Sequence, residues 1–304
     1  MEKGRCHQET TNEFVSIHDD FAWKKLHECI LGRVTDKTAN FIRESAEAAA
    51  KEEAEQSQHQ KHLALQRRRW IPVKLVNRRQ VSPDTNTYTF QLPEGKTVLG
   101  LGTCQHLQIG FHLRDKMLIR QYTPTRPLLP AHDSQSRTFD LTVKTYFPSS
   151  SQPGGALSNI LDCLPLGSEV EVRGPTGDIN YQGNGHFSIE GRDRHFSRVS
   201  LVLGGSGITP GYALMARILI IPGDRTEISV IDANRIEQDI LLKKELDNLE
   251  EKSGGQLKIC HRCLFKPACN NVALLCGPPG LIQGVVLPAL VDWGYIEDQN
   301  LFGF

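Results

Sequence analysis

Four short motifs, in a fixed order, hold the chemistry available to this chain: Arg120-Gln-Tyr122-Thr123-Pro124, Gly154-Gly155-Ala-Leu-Ser158, Gly204-Gly205-Ser-Gly207-Ile-Thr209-Pro210 and Cys276-Gly277-Pro278-Pro279. Arg120 offers a planar, permanently charged fork that suits a pyrophosphate. Tyr122 and Thr123 offer polar contacts along one strand edge. Gly154 and Gly155 let backbone N–H groups approach phosphate oxygens at a helix start, where the helix dipole favours an anion, and Ser158 adds a hydroxyl. The glycines from 204 to 207 end an apolar run and open a helix. That is the strand-end crevice where α/β sheets bind nucleotides, although the full dinucleotide fingerprint is not present. Pro210 suits a first helical turn, where its missing N–H is not needed. The turn after Cys276 aims backbone and thiol into the same crevice. Taken in order, the set describes two cofactors laid against each other, a flavin dinucleotide on the first half and a nicotinamide dinucleotide on the second.

Each motif alone has a plainer reading. Arg120 to Pro124 is also what a strand end entering a proline turn looks like. Gly154-Gly155 is also a helix start after the flexible loop Ser149 to Pro153. Cys276 is also a buried structural thiol. Cys260-His-Arg-Cys263 has the spacing of a zinc pair, with Cys269 and Cys276 downstream. On a strand, however, the first two thiols point to opposite faces, and the second pair lacks knuckle spacing, so no metal is expected.

The elements that must position these residues fall into three regions. Residues 1–69 are polar and helix-prone, and Glu44 to Gln60 reads as a solvated helix or spacer. From Trp70 to about Ile189 apolar and polar residues alternate. Strands are expected at Val73–Arg79, Thr87–Leu92, His106–Gly110, Leu118–Thr123, Thr138–Tyr146 and Glu169–Arg173, with a helix from Gly154 to about Asp162. Six such strands make a small antiparallel barrel. From Arg198 the period changes. Strands at Val199–Leu203, Glu227–Ile231, Leu257–Cys263 and Val272–Cys276 alternate with helices at Gly211–Ile220, Gln238–Glu250 and Leu281–Trp293, which indicates a doubly wound parallel sheet.

Composition narrows the function. Lys plus Arg equals Asp plus Glu at 35 each, so no nucleic-acid or membrane-surface binder is indicated. No apolar run is long enough to span a bilayer, and the first residues lack a signal-peptide core. Eight cysteines in 304 residues without a secretion signal suggest reduced thiols inside the cell.

Further motifs join the four: Val143-Lys144-Thr-Tyr146, Gly174-Pro175-Thr-Gly177, Tyr181-Gln-Gly183-Asn-Gly185-His-Phe187, Ala233-Asn234-Arg-Ile-Glu237-Gln-Asp239-Ile-Leu and Phe302-Gly-Phe304. With them, Trp70 to Phe304 resembles the NADH–cytochrome b5 reductase family within the ferredoxin–NADP reductase-like flavoproteins. It is also similar to the flavin module of eukaryotic nitrate reductases. The resemblance implies a six-stranded antiparallel FAD-binding barrel at 70–190, followed by a doubly wound parallel-sheet NAD-binding domain at 196–304. It implies that Arg120, Tyr122 and Thr123 hold the flavin diphosphate, ribitol and ring, that Val143 and Tyr146 line the flavin, and that Gly154, Gly155 and Ser158 bind the pyrophosphate. Gly205, Thr209 and Pro210 would sit where nicotinamide meets flavin. Cys276, Gly277 and Pro278 would position the nicotinamide, and Asp239 would favour NADH by repelling the extra phosphate of NADPH. Thr123, Thr209 and Cys276 are then the residues nearest the reaction. Hydride passes from NADH to FAD, and single electrons pass to a haem protein such as cytochrome b5. A cytoplasmic protein, or one peripheral to an organelle membrane, is implied.

The chain departs from that pattern in places. Ser16-Ile-His18 to Val34 looks like the tail of a cytochrome b5 domain, so 1–37 reads as a remnant and 38–69 as a charged helical linker. The first haem ligand motif is absent, and no haem is expected. Gln121 replaces a usual Pro, and Gly280-Leu281 a usual Pro-Met. The segment between Leu264 and Asn271 is short. Strands three places apart lie roughly 14 Å from each other, and the chain must also return the length of a strand. Eight residues reach at most about 26–29 Å, and a crossover helix normally needs a dozen or more. A shifted last strand or a lost segment is therefore expected, and with it an alternative function: an FAD-binding fragment with impaired or lost NADH reductase activity.

Overall fold

A computed structural model describes residues 62–113, 116–126, 137–150, 153–260 and 264–304. The segment expected to be a haem-domain remnant, with His18, and the expected linker up to residue 61 lie outside these residues.

Strands β1 (Ile71–Ser82), β2 (Thr85–Gln91), β3 (His106–Leu113), β4 (Lys116–Tyr122), β5 (Thr138–Lys144) and β6 (Glu169–Thr176) form one antiparallel sheet in the order β4-β3-β6-β1-β2-β5. Alternation dictates which face turns inward: Ile71, Val73 and Leu75 of β1 are buried, while Pro72, Lys74 and Val76 are exposed. Past β4 the chain reaches the other edge strand, where Thr125 N donates to Asp140 O at 2.9 Å. The two edges are thereby brought together, and Phe90, Leu107, Ile109, Phe139 and Leu141 fill the interior without exposure. Helix α1 (Ala156–Cys163) closes one end of this core with buried Leu157 and Leu161.

A three-stranded meander follows: β7 (Ile179–Gly183), β8 (His186–Ile189) and β9 (Arg192–His195). The sequence reading contained no such sheet. Its strands are only four or five residues long, and their inward residues Ile179, Tyr181, Phe187 and Ile189 pack into the core of the second half. The boundary expected at 190 therefore passes through a unit that packs as one with the parallel sheet.

That sheet comprises β10 (Arg198–Gly204), β11 (Glu227–Ala233), β12 (Leu257–Ile259), β13 (Asn271–Cys276) and β14 (Leu301–Gly303), in the order β12-β11-β10-β13-β14, with every pairing parallel. The central strand β10 is buried from Val199 onward, as a strand covered on both faces must be. One face carries α2 (Ile208–Ile220), α3 (Lys243–Lys252) and the meander. The other carries the helical run α4 (Pro279–Leu281), a π-helical turn (Ile282–Val286) and α5 (Leu287–Trp293).

Several boundaries moved from expectation. Helix α3 begins at Lys243 rather than Gln238, because Leu242 adopts a left-handed φ of 59° and Glu237–Asp239 forms a separate 3-10 turn. Strand β12 ends at Ile259 rather than Cys263. It is an edge strand with β11 as its partner, so it has no second neighbour to prolong it. Cys260, just beyond it, is disulfide-bonded, so the cysteines are not all reduced as expected; Cys263 lies outside the described residues.

The earlier strand end also corrects the expected break in the sheet. The link now runs from 260 to 270, three residues longer, and crosses the three strand positions without a helix in its described part. Phe265 N donates to Ser200 Oγ at 3.1 Å, Tyr295 Oη donates to Phe265 O at 2.8 Å, and Asn271 Nδ2 donates to Lys266 O at 2.7 Å. Strand β13 has not shifted: it pairs with β10 from Arg198↔Asn271 to Leu203↔Cys276.

Candidate functional site

The two halves face each other across a cleft of about 510 Å³. Its first wall is built by the end of β4, the end of β5 and the start of α1. Arg120, Tyr122 and Thr123 line it, with Val143, Lys144 and Tyr146 beside them and Gly154, Gly155 and Ser158 at the helix start. The opposite wall is made of the two turns that follow β10 and β13, through Ser206, Gly207, Thr209, Pro210, Cys276 and Gly277. His106 and the last residue, Phe304, also line it.

The first wall fits a pyrophosphate. Gly154 has a φ of +82°, and a β-carbon there would lie 2.8 Å from Tyr146 O and Pro148 N. One on Gly155 would lie 2.6 Å from Ser158 Oγ. Helix α1 has no side-chain cap at Gly155, so its first-turn N–H groups remain available to an anion. Arg120 is exposed, and its Nη1 donates to Ile119 O at 2.7 Å. No ion pair among the described residues holds its charge. Ser158 behaves differently from expectation. Its hydroxyl donates to Gly155 O (3.0 Å) and accepts from Tyr146 N (3.3 Å), so it shapes the turn rather than offering a free donor. Asn159, which the sequence reading missed, reinforces the same turn by donating to Tyr146 O at 2.8 Å and Gly155 O at 2.7 Å.

The second wall explains its glycines by packing. A β-carbon on Gly207 would collide with the Cys276 carbonyl and lie 2.9 Å from Gly277 N; one on Gly204 would collide with Leu281 and lie 3.2 Å from Pro278 Cδ. The two turns are thus held in register by the absence of side chains between them. Gly205 faces open space but takes a φ of +54°, which suits glycine for conformational reasons. Helix α2 starts at Ile208, three residues earlier than expected, so Pro210 falls in its first turn. Its Gly207 N-cap also lacks a side-chain cap. Thr209 Oγ1 donates to Ser206 O at 3.2 Å.

Burial sets the protonation of the lining groups. It pushes the Cys276 thiol up to about 11, so at neutral pH this is a thiol and not a nucleophilic thiolate. It also raises the Tyr122 phenol, against an opposing pull from Arg120, so the phenol remains a donor. Burial lowers His106, against the pull of Asp178, which leaves a neutral imidazole at the junction of the two halves.

Not every expected residue lines the cleft. Gly205, Pro278 and Asp239 do not; Pro278 is exposed beside Gly204, where a β-carbon would lie 3.2 Å from its Cδ. Asp239 instead reaches Lys144, which does line the cleft: Lys144 Nζ donates to Asp239 Oδ1 at 2.7 Å across the two halves. The signal for Lys144 was a lone cation ending the strand Thr-Phe-Asp-Leu-Thr-Val-Lys, within Val143-Lys144-Thr-Tyr146. Tyr146 Oη and Ser206 Oγ make a second bridge at 3.2 Å.

Comparison with known proteins agrees with this geometry. Residues 72–181 match a family described as oxidoreductase FAD-binding domain, and residues 201–271 one described as oxidoreductase NAD-binding domain. The chain is 34% identical over 328 positions to nitrate reductase (NADH) 1 of Nicotiana tabacum, which covers 97% of this chain and 36% of that protein. It is 35% identical over 324 positions to nitrate reductase (NADH) 1 of Phaseolus vulgaris, with the same coverage of 97% and 36%. The chain thus spans about a third of the length of the curated relatives it matches. Among solved structures, the cytochrome b5 reductase domain of Ulva prolifera nitrate reductase superposes with a TM-score of 0.73 at 30% identity, covering 79% of this chain and 99% of that one. The CS-b5R domains of human Ncb5or share the fold, with a TM-score of 0.60 at 21% identity over 78% of this chain and 69% of that one.

Proposed function

This chain belongs to the FAD- and NAD-binding oxidoreductases of the NADH–cytochrome b5 reductase type, and from that premise we propose that it oxidises NADH through FAD and delivers the electrons to a haem protein such as cytochrome b5. The observation that carries this reading is the shared cleft. One wall presents an anion cradle and a guanidinium with no ion pair among the described residues, and the other presents two glycine-tight turns at the ends of parallel strands. When bound, FAD supplies the redox chemistry, taking electrons as a hydride and passing them on singly.

The residues of the chain do the rest. Arg120 and the N–H groups at Gly154 and the first turn of α1 hold the diphosphate, while the Gly155 N–H ties the cradle to Tyr146 O at 2.8 Å. Tyr122 and Thr123 position the flavin ribitol and ring at the end of β4 and just past it, and Val143 and Tyr146 line it at the end of β5 and just past it. Ser158 and Asn159 keep the cradle in shape. Gly207, Thr209 and Pro210 place the nicotinamide against the flavin, with Gly205 giving the turn its conformation. Cys276 and Gly277 shape the nicotinamide pocket, with Pro278 continuing their turn, and the neutral thiol of Cys276 acts by contact and not by covalent attack. Asp239 receives the adenosine ribose hydroxyls, which selects NADH. Val143 and Ser158 on one wall and Gly207, Thr209 and Pro210 on the other are buried and limit water around the reacting rings.

We place the protein inside the cell, cytoplasmic or peripheral to an organelle membrane. No helix among the described residues is long and apolar enough to cross a membrane. The test is direct: purified protein should contain one FAD per chain and reduce ferricyanide with NADH well ahead of NADPH. A protein that retains no FAD after reconstitution contradicts the reading.

A further inference from the structure

We propose that Arg78 is a positioning residue for FAD: it anchors the C-terminal end of α1, so that the other end of that helix keeps its N–H groups on the diphosphate. This rests on the reading that the diphosphate lies at the start of α1.

An irregularity in β1 aims Arg78. Ile71, Val73 and Leu75 face inward, and strict alternation would leave residue 78 on the outer face. The pairing with β2 shifts register between Leu75 and Asn77, and beyond the shift Arg78 stands directly opposite Tyr88, which is fully buried. Residues directly opposite in an antiparallel pair share a face, so the shift turns Arg78 inward. Its guanidinium carbon lies 5.5 Å from the centre of the Tyr88 ring.

The hydrogen bonds of Arg78 then go to the far end of α1. Its Nη2 donates to Leu161 O at 3.3 Å and to Leu164 O. Leu161 lies in the last turn of the helix, and Leu164 is the residue that ends it. Carbonyls there have no α-helical partner, and the negative end of the helix dipole favours a cation. Helix α1 has no basic residue in its own last turn, so β1 supplies the charge. The Nε of Arg78 is buried without a partner, which leaves those two carbonyls as the acceptors that hold the guanidinium. Beside it, Asn86 Nδ2 of β2 donates to Asp162 Oδ1 at 2.9 Å.

Helix α1 has eight residues and is about 12 Å long. Its start is tied to Tyr146 O by Gly155 N and Asn159 Nδ2, both at 2.8 Å. Its end is tied to β1 and β2 by Arg78 and Asn86. A helix held at both ends presents its first-turn N–H groups at fixed positions, whereas one held only at the start pivots on the Gly154–Gly155 turn. Arg78 does not line the cleft, so it acts on FAD through α1. A helix cap that contributes stability alone is the plainer role, and it differs in one observable, the affinity for FAD.

The experiment measures FAD dissociation from the full-length holoprotein, by the fluorescence of released flavin on serial dilution, with urea unfolding alongside. Loss of one charged donor is worth about 10-fold. Arg78→Gln should raise the FAD dissociation constant by about that factor. Arg78→Lys, which keeps a cation at the helix end, should recover most of the affinity. Asn86→Ala removes the uncharged tie and should raise the constant by about 3-fold. A lower urea midpoint with unchanged FAD affinity in Arg78→Gln would overturn the proposal, and so would an Arg78→Lys protein that binds FAD as weakly as Arg78→Gln. Arg120→Ala separates this proposal from the reading beneath it. If Arg120→Ala weakens FAD binding and Arg78→Gln does not, the anchor is wrong and the diphosphate reading stands. If neither weakens it, the diphosphate reading fails and the anchor with it.

Discussion

The two halves that meet at the cleft hold their shares of it by different means. The flavin wall is made of side chains and a helix start tied down by hydrogen bonds, such as Ser158 to Gly155 O and Asn159 to Tyr146 O. The nicotinamide wall is two backbone turns pressed together, with Gly204 and Gly207 leaving room for Pro278 and Cys276. Their foundations differ too. The barrel has one continuous core. The parallel sheet is lopsided: α2, α3 and the meander bury a large cluster on one face, while the link, which has no helix in its described residues, leaves the other to Leu290, Tyr295 and the helical run that follows β13. Val285, Val291, Trp293 and Ile296 stand exposed on or just after that run, at 61%, 44%, 45% and 51%. A wall built from side chains should lose affinity in steps when one is removed. A wall built from packed backbone should lose geometry all at once.

The sharpest way to break that contrast is Gly207→Val. Its β-carbon meets the Cys276 carbonyl, which is backbone and cannot yield cheaply. We expect kcat/KM with NADH to fall by about 100-fold, the cost of a misplaced reacting ring, with FAD content unchanged. Loss of FAD together with activity would show that the two walls are not independent. Arg120→Ala probes the opposite wall. Removing one charged donor from a diphosphate should weaken FAD binding roughly 10- to 100-fold, read by equilibrium titration, while the remaining holoenzyme still reacts with NADH.

A third prediction concerns the cleft end of the parallel sheet. Asp232 on β11 pairs in register with Leu203, its Oδ1 has no hydrogen-bond partner among the described residues, and burial pushes its carboxyl up to about 6. A folded-state value above the unfolded one means that the folded state binds the extra proton. Stability from this group is therefore full below the unfolded value of 3.8 and is lost as pH rises through about 6. Asp232→Asn should gain about 1–3 kcal/mol over the parent at pH 7.5 and little at pH 4, by urea denaturation. An equal gain at both pH values would contradict the assignment. The smallest effect is expected on the thin face. Tyr295→Phe removes the hydroxyl that joins Ser200 to Phe265 O, at 3.3 and 2.8 Å, and should cost about 1 kcal/mol. Amide exchange should quicken in residues 264–270 and not in the barrel.

Local sequence was enough for the barrel strands, both turn motifs and the start of α1, because alternation, glycines and a cation at a strand end all act over a few residues. It failed where distant partners decide. The meander was missed because its short strands owe their order to Tyr181, Phe187 and Phe196 packing under β10. The early end of β12 depends on its place at the sheet edge, and that end is what lets the short link close. Ser158 was legible as part of the cradle, but not its bond to Gly155 O, which uses up its proton. Lys144 stood in plain view in its motif, yet its partners Asp84 and Asp239 lie 60 and 95 residues away, and only the fold joins them.

The central claim is that one cleft, with an intact nicotinamide wall despite the shortened link, passes hydride from NADH to FAD. It is tested most directly by an anaerobic titration of the purified, FAD-loaded protein with NADH, following flavin absorbance. Bleaching to completion near one NADH per flavin is the predicted result. A yellow protein that stays oxidised with excess NADH and bleaches only with dithionite would contradict it.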